Sequence, residues 1–185
     1  MQKKLSKGQL LIADPSIIND TSFKRSVVLL ADHNTEGSVG FILNKPLQYS
    51  LNDLVPEIDA DFTIYNGGPV EQDNLYFIHT IPNLIPNSIE ISQGIFWGGS
   101  FELTSNLINS KQIFKNNIRF FLGYSGWEAF QLEQELKSNS WIVNKNNLEK
   151  EIIGTQSINL WRNQIKEIGG DYLIWSNSPE NPYLN

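Results

Sequence analysis

The residues best placed to do chemistry sit in one run, Gly123-Tyr124-Ser125-Gly126-Trp127, followed by Gln131-Leu132-Glu133-Gln134-Glu135. A strand-like stretch, Ile118–Leu122, leads in, and a helix-like stretch, Glu128–Lys137, leads out. A glycine turn between strand and helix is where many proteins expose a nucleophile or hold an anion. Ser125 does not fit the first role. The nucleophile motif G-x-S-x-G needs glycine two residues after the serine, where this chain has Trp127, and hydrolases of that class place their histidine after the serine, where this chain has none. Ser125-Gly126-Trp127-Glu128 reads better as a capping box, the serine oxygen accepting from the Glu128 N–H, a contribution of roughly 1 kcal/mol. The anion role is opposed by Glu128, Glu133 and Glu135, and by the absence of a Walker lysine or a G-x-G-x-x-G run.

Three other groups of residues are candidates. His33 falls in the polar turn Asp32–Gly37 and reads as solvated, whereas His79 ends a strand beside apolar residues and reads as a core histidine. Either becomes a general base only with a carboxylate in reach. Gly67-Gly68-Pro69-Val70 is either a tight connection between strands, the favoured reading, or a backbone-lined pocket wall. The tryptophans read as packing, except that Trp127, if exposed at its turn, would be an anchor for a partner. With no cysteine and no H-x-x-x-H or D-x-D-x-D spacing, neither a metal nor a cofactor is expected.

The elements that must position these residues are short. Gly8–Asp14, Arg25–Ala31 and Ser38–Asn44 read as strands, the last two forming a hairpin with a four-to-six-residue loop. Ser50–Val55 allows one helical turn. Phe62–Tyr65, Leu75–Thr80, Ile89–Ile91, Ile95–Trp97, Trp141–Val143 and Tyr172–Trp175 read as further strands. Glu102–Asn109 and Ser157–Ile168 carry apolar residues at helical spacing, and Gly169-Gly170 stops the second. Strands without regular βαβ alternation predict an α+β fold with a mixed, mainly antiparallel sheet.

At 185 residues the chain is expected to form one domain, 1–185, with an extended tail over 176–185 in which Tyr183 and Leu184 dock. The basic start lacks an apolar segment behind it, and no apolar run approaches the ~18 residues of a membrane span, so a cytoplasmic location away from membranes is expected. Net charge is −6 with only three arginines. Direct DNA binding is therefore disfavoured, the one local basic group being Lys3, Lys4, Lys7, Lys24 and Arg25. Asparagine (21) and isoleucine (22) are frequent enough to suggest an AT-rich bacterial genome.

Taken in order, the runs Gly8-x-Leu10-Leu11-Ile12-Ala13-x-Pro15, Phe23-x-Arg25-Ser26-Val27, Gly40-Phe41-x-Leu43-Asn44-Lys45-Pro46, Gly67-Gly68-Pro69-Val70, Gly123-Tyr124-Ser125-Gly126-Trp127 and Asn139-x-Trp141, with His33, His79 and Gln131-Leu132-Glu133, resemble the YqgE/AlgH family of bacterial proteins from Gly8 to about Gly169. The chain departs from the family pattern at Ser125, commonly alanine, and at Phe130, usually glycine. The resemblance implies a single α+β domain with a barrel-like, bifurcated sheet and flanking helices. It brings a description as a candidate transcriptional regulator and no catalytic residue, cofactor or DNA-binding motif. The favoured expectation is a non-enzymatic binding or regulatory protein with a protein partner, contacted through Asn44, Gly67, Gly68, Pro69, His79, Gly123, Tyr124, Gly126, Trp127, Gln131 and Glu133. The alternatives are a small-molecule hydrolase using His33 or His79 with a carboxylate, and a direct nucleic-acid binder using the N-terminal basic residues.

Overall fold

Runs of β-branched and apolar residues form strands that are buried on both faces. In β1 (Leu10–Ala13), Leu10 and Ile12 enter one core while Leu11 and Ala13 enter another, so the strand is apolar throughout rather than alternating. The structure, a computed structural model, describes residues 5–155 and 157–178. Lys3 and Lys4, and the docking expected of Tyr183 and Leu184, lie outside the described residues.

β2 (Val27–Asn34) and β3 (Gly37–Ile42) form the expected hairpin, but Asn34 pairs with Gly37. The loop is therefore only Thr35-Glu36, and His33 lies in a strand instead of the polar turn. β4 (Pro46–Ser50) and α1 (Leu51–Leu54) follow, with Ser50 and Asp53 forming a capping box. Next come β5 (Thr63–Asn66), β6 (Val70–His79), β7 (Ile89–Ser92), β8 (Ile95–Trp97) and α2 (Phe101–Asn109). β9 (Ile118–Glu128), α3 (Gln131–Lys137), β10 (Trp141–Asn144), α4 (Leu160–Ile168) and α5 (Leu173–Ser176) follow, with 3-10 helical turns at Glu149–Ile153 and Gly170–Tyr172. The sheet order is β10-β1-β2-β3-β9-β6-β8-β7, with β5 and β4 branching from β9. All pairs are antiparallel except β5 with β9. The fold is thus α+β with a bifurcated sheet. The sheet curls around a core that includes Leu29, Phe41, Phe121 and Trp161, but no ladder joins β7 to β10, so it is not a closed barrel.

The largest correction concerns Gly123–Trp127. No strand-to-helix turn occurs there: β9 runs straight through to Glu128 and pairs with β3 over its last four residues. Ser125 is fully buried and caps nothing, its Oγ donating to the Gly67 carbonyl at 3.0 Å. Of the glycines that suggested a turn, Gly123 is needed because backbones meet at the fork of the sheet, whereas Gly126 makes room for the Tyr124 and Val70 side chains. Helix α3 begins three residues later than expected, after Phe130 in a left-handed conformation (φ 65°). Such a residue costs a side chain what glycine adopts freely, which accounts for the glycine usual at this position of the resembled pattern. Tyr172–Trp175, strand-like in composition, is helical. Gly169 and Gly170 at φ 73° and 58° end α4 and turn the chain into a short helical segment that folds back on α4, where Tyr172 bonds Asp14.

Candidate functional site

Three elements meet at the β2–β3 tip. The tight hairpin brings Asp32 and Glu36 beside the last residues of β9, and α3 then presents Gln131. Between them lies an open groove of ≈ 560 Å³ lined by, among others, Asp32, Glu36, Tyr124, Gly126, Trp127, Glu128 and Gln131. Gly126 keeps the floor open, since a Cβ there would come within 3.1 Å of the Tyr124 ring. Gln131 ties the rim together: its Oε1 accepts from the Glu128 N–H at 2.9 Å, and its Nε2 donates to Glu135 Oε1 at 2.9 Å.

Trp127 is not an exposed anchor. It is 5% exposed, stacks on Phe23 at 6.0 Å, and donates its indole N–H to Glu135 Oε2 at 2.8 Å. Trp141 donates to the same oxygen at 2.7 Å. One carboxylate thus satisfies two buried indoles, and Trp127 belongs to the core beneath α3 with Leu132 and Trp141. The accessible aromatic wall of the groove is Tyr124, half-buried and edge-on to Tyr76 at 5.6 Å.

His33 stands between Ser38 and Glu133. Its Nδ1 lies 2.9 Å from Ser38 Oγ and its Nε2 3.8 Å from Glu133 Oε1, the latter beyond hydrogen-bond range. His79 is elsewhere, fully buried and stacked on Phe96. Its Nδ1 accepts from the Ile81 N–H at 3.2 Å, which leaves the proton of the neutral ring on Nε2. Burial pushes its pKa down to about 4, against a smaller opposing effect of the Gly98 backbone. The two histidines do not share a site, and among the described residues no group of three or more His, Asp or Glu is placed to hold a metal ion.

Gly67, Gly68 and Gly123 form the fork beneath the groove. The Gly67 N–H donates to Leu122 O, and its carbonyl accepts from the Ile42 N–H and from Ser125 Oγ. A Cβ on Gly67 would lie 2.2 Å from the Gly123 carbonyl oxygen, one on Gly68 2.3 Å from that of Tyr124, and one on Gly123 2.6 Å from that of Val70. These glycines are packing positions for backbone, while Pro69 beside them is exposed. Of the expected contact residues, Tyr124, Gly126, Trp127 and Gln131 line one groove and Glu133 reaches its neighbourhood through His33. Asn44 lies at the other end of the hairpin, where its Oδ1 accepts from the Val27 N–H and its Nδ2 donates to the Arg25 carbonyl, both at 2.8 Å. The expected basic group also divides. Lys7 reaches the Glu90 carbonyl, whereas Lys24 and Arg25 join Lys45 and Arg162 around a second cleft. No spacing signal marks Arg162 or the acidic rim, because each depends on segments far apart in sequence.

A forked, mainly antiparallel sheet with helices over it is shared with two solved structures. One, a crystal structure of a protein from Corynebacterium diphtheriae, superposes with a TM-score of 0.76 at 18% identity, covering 96% of this chain and 95% of that one. The other, the solution structure of the AlgH protein from Pseudomonas aeruginosa, gives 0.71 at 24% identity, covering 97% and 98%. At those identities the likeness shows the fold alone. Sequence goes further. The family model described as AlgH-like matches residues 10–173. A UPF0301 protein of Chlorobium limicola is 42% identical over 184 residues (98% of this chain, 97% of the relative), and one of Bacteroides fragilis is 41% identical over 183 residues (97% and 91%). The chain belongs to the AlgH-like family.

Proposed function

We propose that this is a non-enzymatic binding protein of the bacterial cytoplasm that acts in transcriptional regulation through a protein partner held at the hairpin-tip groove. The observation that carries the reading is the groove itself: an open space of ≈ 560 Å³ with an aromatic wall at Tyr124 and carboxylates at Asp32, Glu36 and Glu128. Such a rim complements a partner segment bearing Lys or Arg beside an apolar residue. Net charge −6 favours a protein partner over direct contact with DNA. Among the described residues no helix is long and apolar enough to cross a membrane.

A second reading, a hydrolase, is favoured by one observation, the placement of His33 between Ser38 and Glu133. It ranks lower because Ser38 is 6% exposed and the His33–Glu133 separation is 3.8 Å.

The test is capture from the cognate lysate, nuclease-treated, with the native protein and with the double variant Glu36→Lys, Glu128→Lys. Both positions are exposed, so the fold is retained. A protein captured by the native chain and lost with the double variant is expected. Equal capture by both would place the contact elsewhere.

A further inference from the structure

The two ends of the β2–β3 hairpin carry opposite charge. The tip bears Asp32 and Glu36. At the open end, roughly 20 Å away at ~3.3 Å per strand residue, lies a second cleft of ≈ 490 Å³. Lys24, Arg25, Lys45 and Arg162 all line it, and among the described residues no carboxylate does. In a chain of net charge −6 these are two of its three arginines and two of its lysines.

The fold assembles this cluster at a cost. Arg25 sits at φ 53°, a left-handed conformation unfavourable for a residue with a side chain. The Asn44 amide holds it there by bonding the Arg25 carbonyl and the Val27 N–H. That geometry lays the Arg25 guanidinium over the Trp161 ring, 5.1 Å from its centroid. Arg25 and Arg162 both donate a guanidinium N–H to the Ser178 carbonyl oxygen, at 3.1 and 3.4 Å, and Arg25 also to Ser178 Oγ at 3.3 Å. Two planar donors thus converge on one neutral carbonyl oxygen, a position that an oxyanion would fill with a stronger, charge-assisted pair of bonds in place of Ser178. The Lys45 ammonium bonds the Ser22 carbonyl, and burial lowers its pKa, Asp20 opposing only in part. None of the three salt bridges among the described residues includes Lys24, Lys45 or Arg162.

We propose that this cleft is an anion-binding site for a small phosphorylated ligand, a phosphate monoester or diphosphate. A dianion with three acceptor oxygens matches two guanidinium groups and an ammonium better than a single carboxylate does. The volume is that of a small-molecule site and is too confined for a duplex. Ile158, exposed at the lip, supplies an apolar surface for the organic part of the ligand.

The experiment is calorimetric titration of the full chain with pyrophosphate, inorganic phosphate and adenosine 5′-monophosphate at low and high salt, with amide NMR shifts mapped in parallel. Lys24→Gln and Arg162→Gln, both near the surface, should each weaken pyrophosphate binding about tenfold and leave the melting temperature unchanged. Shifts should centre on Lys24, Arg25, Asn44 and Lys45. Stronger binding of the nucleotide than of pyrophosphate would assign a monoester, and the reverse a diphosphate. No binding of any probe at millimolar concentration overturns the proposal, as does binding unaffected by both substitutions. Binding of a DNA duplex that pyrophosphate cannot displace would overturn it in favour of nucleic acid.

Discussion

Replacing Glu135 with alanine should destabilise the protein far more than its position on a short, half-exposed helix suggests. Its Oε2 accepts from the indole N–H groups of Trp127 and Trp141, which are 5% and 4% exposed. Truncation leaves both donors buried with no acceptor, at about 1–3 kcal/mol each. The expected loss is therefore about 2–6 kcal/mol of a total near 5–15. For a chain of this size that lowers the melting temperature by roughly 5–20 °C. Glu135→Gln keeps an acceptor oxygen without the charge and should lose about half as much. Trp127→Phe in the Glu135→Ala background removes one orphaned donor, so the combined loss should fall short of the sum of the single losses. Thermal unfolding followed by circular dichroism measures all of these. A melting temperature for Glu135→Ala within about 2 °C of the native value, less than 1 kcal/mol, would refute the claim that this carboxylate carries both indoles.

Two further outcomes follow from buried groups. His79 titrates near 6.5 when unfolded and at about 4 when folded, so between those values the unfolded chain binds the extra proton. Stability should be flat above pH 7 and fall as pH drops from 6.5 to 4, by at most about 3 kcal/mol, and His79→Gln should flatten that slope in pH-dependent urea unfolding. Gly68→Ala forces a Cβ against the Tyr124 carbonyl at a φ of 150°, and should cost more than about 3 kcal/mol, read as a drop in the urea midpoint, whereas Pro69→Ala next to it should cost little.

Much of the fold was legible where the local pattern and the tertiary outcome agree. The strands at Leu10–Ala13 and Ile95–Trp97, the part of β2 over residues 27–31 and the helix at Phe101–Asn109 follow from β-branched runs and helical spacing, whereas residues 32–34, polar enough to read as a turn, continue the strand. The pattern misled at Gly123–Trp127, where glycine and serine suggest a turn. There they serve a long-range need: three backbones meet at the fork, and only residues without side chains, plus one hydroxyl reaching the Gly67 carbonyl, fit between them. That same fact moved Trp127 from an exposed anchor to a core residue. Tyr172–Trp175 has strand composition, but after the turn at Gly169 and Gly170 it packs on α4 as a helical segment. Tyr124, Gly126 and Gln131 could be grouped from the sequence because they are close along the chain, and they line one groove. The acidic rim and the Arg162 side of the basic cleft were not, because the β2–β3 tip meets β9, and α4 meets Asn44, only in three dimensions.

The central claim, that the hairpin-tip groove holds a protein partner, is tested most directly by photo-crosslinking in the living cell. A photoreactive residue is placed at Thr35, exposed at the tip, or at Phe114, an exposed control that does not line the groove. The expected result is one discrete crosslinked protein from Thr35, absent from Phe114 and abolished by Glu36→Lys with Glu128→Lys. Crosslinks from Phe114 with none from Thr35, or no crosslink from either, would contradict it.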